Sequence, residues 1–156
     1  MSYAVHVKQL PPQVVVTQRR HASLENLGNA MHSALAKVAM SVAPKEAARG
    51  APFTVYHGEA FRPDDLDVEM GLPVTGDAKV VETADVRRRE LSGGPVAYTT
   101  HVGPYAEISA AYAALYTWID GHGHKRIGPP REIYIVGPGQ GTKPEEYRTE
   151  IEVPID

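Results

Sequence analysis

The chain divides into short stretches of strand-like hydrophobic alternation and two longer stretches of helical periodicity. The strand-like stretches alternate between apolar and polar positions over seven or eight residues and are bounded by glycine, proline or polar residues. There are eight of them, at 4–10, 13–20, 52–58, 66–72, 84–91, 95–102, 131–137 and 147–153. Because strands outnumber helices eight to two, the pattern predicts an α+β fold with an antiparallel sheet.

The two helices are predicted from apolar residues at steps of three and four. In the first helix these are Leu24, Leu27, Met31, Leu35 and Val38. Ser23 is its predicted N-cap and Pro44 closes the segment. In the second helix the apolar residues are Ile108, Tyr112, Leu115 and Ile119. Pro104 at its start and Gly121 at its end fit the usual asymmetry of helix termini.

The apolar pattern of the first half of the chain returns in the second half, over most of its length at a shift of 81 residues. Val5 maps on Val86, Leu10 on Leu91 and Val38 on Ile119. The pattern therefore predicts two internal repeats, at about 1–77 and 78–156, each with the order β-β-α-β-β. In each repeat the first two strands are predicted to form a hairpin, with turns at Pro11-Pro12 and Gly93-Gly94.

A duplicated unit also predicts where a ligand binds. Two similar halves leave a cleft where they meet, and clefts between subdomains are favoured ligand sites. Near the strand that follows each helix the shift becomes slightly shorter, which aligns Gly58 with Gly137 and makes Phe53 the counterpart of Glu132. One half would thus supply an aromatic ring where the other supplies a carboxylate.

Glu132 is the most unusual residue of the segment PREIYIVGP, residues 130–138. Alternation places Glu132, Tyr134 and Val136 on one face of the strand. If that face is buried, the carboxylate needs a partner, and a bound cation is one candidate. The alternative is a glutamate that faces solvent or pairs with Arg131 or Arg148.

Composition excludes several classes of function. A chain of 156 residues fits one domain, 1–156, and a net charge of −3 gives no electrostatic case for nucleic-acid binding. The absence of cysteine excludes disulfides and thiolate metal sites. No apolar run approaches the roughly 20 residues of a membrane span, and the N-terminus lacks the apolar segment of a signal peptide. We therefore expect a cytoplasmic protein without membrane association.

Three segments together resemble the GyrI-like small-molecule-binding domain. They are LSGGPVAYTTHVGPY (91–105), PREIYIVGP (130–138) and YRTEIEVPI (147–155). The same module is the effector-binding domain of AraC- and MerR-type multidrug regulators. The resemblance implies a tandem pair of SHS2-type β-β-α-β-β units with a ligand cleft between them. It also implies that Glu132, in the E-[VI]-Y motif that Tyr134 completes, contacts the positive charge of amphipathic ligands.

Four aromatic residues are candidate walls of the pocket around Glu132. Tyr98 follows the Gly93-Gly94 turn, and Tyr112 and Trp118 lie on the second helix; Phe53 is included through the repeat. For each ring the alternative is ordinary core packing. No cofactor is predicted, and GHGHK (121–125) is predicted to be a solvated loop, not a metal site, because it lacks a third ligand.

The resemblance leaves three functions open. The first is binding of amphipathic, often cationic or aromatic, small molecules. The second is hydrolysis of cyclopropane-bearing electrophilic small molecules, with Glu132 as general base. The third is regulation through a protein partner, as in gyrase inhibitors. Since the repeat occupies the whole sequence, no helix-turn-helix segment is recognised, and a stand-alone protein without direct DNA binding is expected.

Overall fold

The computed structural model describes residues 2–58, 61–138 and 140–156. The described residues form ten β-strands: β1 (His6–Leu10), β2 (Gln13–Ala22), β3 (Val42–Ala43), β4 (Phe53–His57), β5 (Leu66–Pro73), β6 (Lys79–Val80), β7 (Val86–Leu91), β8 (Gly94–Val102), β9 (Arg131–Val136) and β10 (Arg148–Pro154). They also form two α-helices, α1 (Leu27–Ser41) and α2 (Ser109–Gly121), and three short 3-10 turns at Lys45–Ala47, Tyr105–Glu107 and Pro144–Glu146. This content confirms the predicted α+β class with antiparallel pairing and two main helices.

The chain folds into two compact units. Unit 1 comprises Met1–Pro11 and Gly93–Asp156, and unit 2 comprises Pro12–Ser92. Unit 1 has a four-stranded antiparallel sheet in the order β1-β8-β10-β9. Helix α2 covers one face of this sheet. The buried apolar residues between them are Ala97, Ala111, Leu115, Ile119, Ile151, Val153 and Ile155.

Unit 2 has the same plan with different strands. Its sheet runs β4-β5-β2-β7, and α1 covers one face. The core residues are Val16, Ala22, Ala30, Ala34, Val38, Leu66, Val68 and Met70. A separate two-stranded ladder joins β3 to β6. The buried residues of α1 are Ala30, Ala34 and Val38, and those of α2 are Ala111, Leu115 and Ile119. Each buried residue of α2 lies 81 positions after its counterpart in α1, which is the shift seen in the sequence pattern.

The predicted hairpins are wrong. Strand β1 pairs with β8, and β2 pairs with β5 and β7, so the first strand of each predicted repeat joins the sheet formed mainly by the other repeat. A tight hairpin between β1 and β2 would need positive φ angles in its turn, whereas the ring of a proline fixes φ at about −65°. The pair Pro11-Pro12 therefore separates the two strands and does not reverse the chain between them.

The start of α1 also differs from the prediction. The helix begins at Leu27, and Leu24 lies in a preceding turn with 52% of its surface exposed. Ser23 caps that turn, since its Oγ accepts a hydrogen bond from the Asn26 amide at 3.2 Å. The buried residues of α1 are the small side chains Ala30, Ala34 and Val38, whereas Leu27 and Met31 are only partly buried. No helix in the described part of the chain is long and apolar enough to cross a bilayer.

Replacing Gly28 with alanine should stabilise unit 2. Gly28 lies in the first turn of α1, and an added Cβ would have no atom within 4 Å. Alanine lowers the conformational entropy of the unfolded chain and favours the helix, so we expect a gain of about 0.5 kcal/mol in the free energy of unfolding. Chemical denaturation measures it. Gly123→Ala, at a residue with φ of +74°, should be destabilising, and a loss of stability in Gly28→Ala would contradict the account.

Candidate functional site

Glu132 faces the interior of unit 1. In the β9–β10 ladder Glu132 lies opposite Ile151, which packs against α2. Glu132 and Tyr134 are each 6% exposed, whereas Ile135 is 47% exposed. The alternative in which this glutamate faces solvent is therefore wrong. A carboxylate this deeply buried must be stabilised by hydrogen bonds or opposite charge.

Two tyrosine hydroxyls donate hydrogen bonds to this carboxylate. Tyr112 Oη on α2 donates to Glu132 Oε2 at 2.5 Å, and Tyr134 Oη donates to Oε1 at 3.2 Å. The ring of Tyr112 meets Tyr116 edge-on, with centroids 5.9 Å apart. Both donors are neutral phenols, and their hydrogen bonds fix the orientation of the carboxyl group.

A further pair of tyrosines extends this cluster. The Tyr105 ring meets Tyr134 edge-on at 5.8 Å between centroids and lies against Tyr147 at 5.2 Å. Burial raises the pKa of Tyr105 to about 12, with smaller contributions from Tyr147 and Glu132. Its hydroxyl therefore stays protonated at any physiological pH. The Tyr105 hydroxyl packs closely against Gly137, since an added Cβ at Gly137 would lie 3.1 Å from the hydroxyl oxygen.

Thr149 adds an unsatisfied polar group beside the tyrosines. It lies opposite Tyr134 in the β9–β10 ladder and is fully buried. Among the described residues its hydroxyl has no hydrogen-bond partner. Such a group is a candidate position for a ligand atom or a bound water.

Tyr98 and Trp118 make ring contacts of their own in unit 1. Tyr98 lies opposite Glu152 in the ladder, on the face of the sheet that points away from α2, and its ring is covered by Lys8 Nζ at 4.2 Å. Trp118 stacks on His122 with centroids 4.0 Å apart. Trp118 also borders a shallow groove of about 520 Å³ on α2, lined by Ser2, Tyr3, Val5, Ala110, Ala113, Ala114 and Thr117.

The predicted equivalence of Phe53 and Glu132 is wrong by one residue. Phe53 is buried in unit 2 and lies opposite Gly71, on the face of the sheet away from α1. Met70 faces α1 as Ile151 faces α2, and its partner in the β4–β5 ladder is Thr54. Thr54 is therefore the counterpart of Glu132, because a shift of one residue moves a side chain to the other face of a sheet.

Three of the histidines contact polar groups other than Glu132. The ring of His101 lies between the Tyr3 hydroxyl and the Pro104 carbonyl, 3.0 Å from each. His57 Nε2 lies 2.8 Å from the buried carboxylate of Glu69. His124 in the GHGHK loop lies 3.4 Å from Asp156. Within the described ranges no group of three or more histidine, cysteine or acidic side chains could hold a metal ion.

Sequence reasoning missed Tyr105 and Tyr147, which extend the tyrosine cluster that begins at Glu132. Both lie in the segments that carry the family resemblance, HVGPY and YRTEIEV. Tyr105 precedes α2 in a 3-10 turn and Tyr147 precedes β10, and neither position has a periodic pattern that would reveal its orientation. Tyr105 meets Tyr134, and Tyr147 meets Tyr105 where the two loops come together.

Comparison with known proteins identifies the fold. A family model described as the GyrI-like small molecule binding domain matches residues 3–156. The C-terminal domain of EcmrR is 23% identical with a TM-score of 0.84, over 100% of this chain and 99% of that domain. A hydrolase from Listeria innocua is 14% identical with a TM-score of 0.71, over 97% and 91% of the two chains.

A third similar structure is that of SAV2435 bound to tetraphenylphosphonium. It is 16% identical with a TM-score of 0.62 and covers 100% of this chain and 94% of that one. At these identities the similarities show a shared fold. No curated protein sequence matches the chain.

Proposed function

Because the chain belongs to the GyrI-like small molecule binding domain family, we propose that it binds amphipathic cations and aromatic small molecules at Glu132. One observation carries this proposal. The Glu132 carboxylate is buried, and the hydroxyls of Tyr112 and Tyr134 converge on it. A carboxylate held in this way presents a fixed negative charge among aromatic rings, which is the complement of a lipophilic cation.

The aromatic groups supply the second part of the recognition. Tyr134, which contacts the carboxylate, meets the ring of Tyr105, and Tyr105 meets the ring of Tyr147. A cation over the face of such a ring gains about 0.5–2 kcal/mol, depending on desolvation. The fully buried Thr149 hydroxyl offers a hydrogen bond to a polar ligand atom. Rings and a carboxylate select charge and aromatic character more than exact shape, so several ligands should bind.

The similar structures support this choice of ligand. SAV2435 has been seen with tetraphenylphosphonium, a lipophilic cation with four aromatic rings. The EcmrR domain, of the same fold, belongs to a protein that has also been seen in complex with DNA. For this chain, we propose the small-molecule function and no direct contact with DNA.

Hydrolysis is the second candidate function, favoured by the short hydrogen bond between Tyr112 and Glu132. Glu132 would take a proton from water as the water oxygen bonds to a cyclopropane carbon and a ring C–C bond breaks. A tyrosine hydroxyl would protonate the released carbon, and the proton held by Glu132 would then pass to the tyrosinate. A hydrolase from Listeria innocua shares the fold. Incubation with a cyclopropane-bearing alkylator, followed by mass spectrometry, tests it. A product heavier by one water that Glu132→Gln does not form would establish hydrolysis.

The binding proposal is tested with two ions of nearly equal shape and opposite charge. Tetraphenylphosphonium should raise the melting temperature of the protein by several degrees at concentrations well above its dissociation constant. Tetraphenylborate should give no stabilisation, since its charge opposes that of Glu132. Differential scanning calorimetry gives both values. Equal stabilisation by the two ions would show that the carboxylate does not select the ligand.

A further inference from the structure

Thr149 is a buried residue of unit 1 whose hydroxyl has no hydrogen-bond partner among the described residues. Two other buried threonines show the usual situation. The hydroxyl of Thr17 donates to Glu69 Oε2 at 2.7 Å, and that of Thr99 donates to the Ala4 carbonyl at 2.8 Å. In the described part of unit 1, Thr149 Oγ1 is the one buried side-chain nitrogen or oxygen atom without such a partner. An atom of this kind marks the place of an ordered water or of a ligand group.

Thr149 lies on the same face of the sheet as Glu132. In the β9–β10 ladder Thr149 is opposite Tyr134, and Ile151 is opposite Glu132. Ile151 faces α2, and residues two apart on a strand point to the same face, so Thr149 also faces α2. Glu132 and Thr149 are therefore diagonal neighbours on adjacent strands, with Cβ atoms about 7 Å apart. The buried carboxylate and the hydroxyl without a partner thus belong to one site.

The two ladder neighbours of Thr149 already use their polar atoms. On β9, the Tyr134 hydroxyl donates to the buried carboxylate at 3.2 Å. On β8, His101 is opposite Thr149, and its Nε2 lies 3.0 Å from the Pro104 carbonyl. A carbonyl only accepts hydrogen bonds, so Nε2 donates there, while Nδ1 contacts the Tyr3 hydroxyl at 3.0 Å. A buried water needs about two to four polar partners, and these neighbours offer it few, which favours a ligand group at Thr149.

Two partly buried rings are the side chains that can open this site. Tyr105 and Tyr147 come from the turns before α2 and β10, and Tyr147 lies two residues before Thr149. The ring of Tyr105 meets those of Tyr134 and Tyr147. Because Thr149 is closed to solvent, a ligand group reaches it only when neighbouring side chains move. Side chains on turns move more readily than those on a paired strand, so we expect Tyr105 and Tyr147 to move aside.

The geometry points to a hydrogen-bonding subsite at Thr149 that selects one class of amphipathic cation. These cations carry a neutral hydroxyl or amide group on the far side of an aromatic ring from the charge. The inference rests on the proposed binding of cations at Glu132. With the charge beside Glu132, one ring of the ligand spans the distance of about 7 Å to Thr149, and its polar group makes the missing hydrogen bond. A ligand with only hydrocarbon at this place leaves the buried hydroxyl unsatisfied, which costs affinity.

Two phosphonium ions of nearly equal shape test the subsite. In (4-hydroxymethylphenyl)triphenylphosphonium an alcohol lies across one ring from the phosphorus, and in (4-ethylphenyl)triphenylphosphonium a methyl group replaces the hydroxyl. Isothermal titration calorimetry gives the ratio of their affinities for the wild-type chain and for Thr149→Val, which removes the hydroxyl and keeps a branched side chain. Comparing the two ratios cancels the difference in hydrophobicity between the ions. The preference for the alcohol should be about 3- to 10-fold greater in the wild-type chain, as expected for one hydrogen bond.

Two variants serve as controls for this comparison. Thr149→Ser keeps a hydroxyl at the same position and should retain the wild-type affinity ratio. Thr99→Val makes the same chemical change at a buried threonine whose hydroxyl already has a partner, so it should also retain the ratio while lowering the melting temperature. An equal loss of the alcohol preference in Thr99→Val and Thr149→Val would assign it to general packing of the sheet and would overturn the inference.

The stability of the unliganded chain gives a measurement that needs no ligand. Valine in place of an unsatisfied buried hydroxyl should raise the melting temperature, whereas removal of a hydroxyl that bonds to a buried water should lower it. Differential scanning calorimetry of Thr149→Val decides between the two. A lower melting temperature than that of the wild-type chain would show that the hydroxyl is already satisfied and would contradict the subsite.

The outcomes separate this inference from the proposed function. If both phosphonium ions bind the wild-type chain and their affinity ratio is unchanged in Thr149→Val, the subsite is refuted while the binding of cations stands. If neither ion binds the wild-type chain, the proposed function fails, and the subsite fails with it.

Discussion

Replacing Glu132 with glutamine should weaken the binding of tetraphenylphosphonium by roughly 30- to 150-fold, which corresponds to about 2–3 kcal/mol. The carboxylate is buried beside aromatic rings, where water screens its charge less than at the surface. Glutamine has nearly the same shape, and its oxygen can still accept a hydrogen bond from one of the two tyrosine hydroxyls, while its amide NH2 can donate to the hydroxyl oxygen of the other. The change therefore removes the charge and leaves the frame of the site in place.

Isothermal titration calorimetry of both proteins measures this effect. Glu90→Gln, an exposed strand position in unit 2, provides the same chemical change without an expected loss of affinity. Circular dichroism should show that all three proteins are folded. If Glu132→Gln bound the cation as tightly as the wild-type chain does, the electrostatic role of Glu132 would be refuted.

Replacing Gly71 with alanine should destabilise the chain by about 3 kcal/mol and lower its melting temperature by roughly 6–12 °C. Gly71 is the ladder partner of Thr17 on β2 and Phe53 on β4. A Cβ at this position would overlap the carbonyl oxygen of Val16 and lie 2.8 Å from Thr17 Cγ2. The backbone on that side belongs to the central ladder, so relief requires the two strands to move apart.

Thermal unfolding of Gly71→Ala, beside Gly76→Ala, measures this effect. An added Cβ at Gly76 meets no atom within 4 Å, so that variant should differ from the wild-type chain by at most about 0.5 kcal/mol. A melting temperature of Gly71→Ala equal to that of Gly76→Ala would mean that the β2–β5 ladder is not as close as described.

The sequence predicts the secondary structure well because its signals are local. The alternation of β9 and the spacing of α2 both appear in the folded chain. Alternation alone left open which face of β9 is buried, and the family resemblance favoured burial of Glu132, which the structure shows. The pairing of strands is less predictable. The patterns of β1 and β7 fit either sheet, and only the three-dimensional packing decides that β1 joins β8 and β7 joins β2.

The contacts of the candidate site are also hard to predict from the sequence, because they depend on how the elements pack. The contact between Tyr112 and Glu132 depends on the rotation of α2 over the sheet, which apolar periodicity defines only coarsely. The position of Tyr98 depends on which face of β8 meets α2, and both faces of that strand carry buried residues. In the segment YRTEIEV, alternation correctly predicts that Glu150 and Glu152 lie on one face of β10.

The most direct test of the central claim is to locate a bound lipophilic cation by crystallography. Tetraphenylarsonium closely matches tetraphenylphosphonium in shape, and its arsenic gives an anomalous signal that marks the centre of charge. We expect the arsenic within about 6 Å of the Glu132 carboxylate, with its phenyl groups against Tyr105, Tyr134 or Tyr147. An arsenic peak elsewhere, for example in the groove beside Trp118, would contradict the assignment of Glu132 as the binding residue.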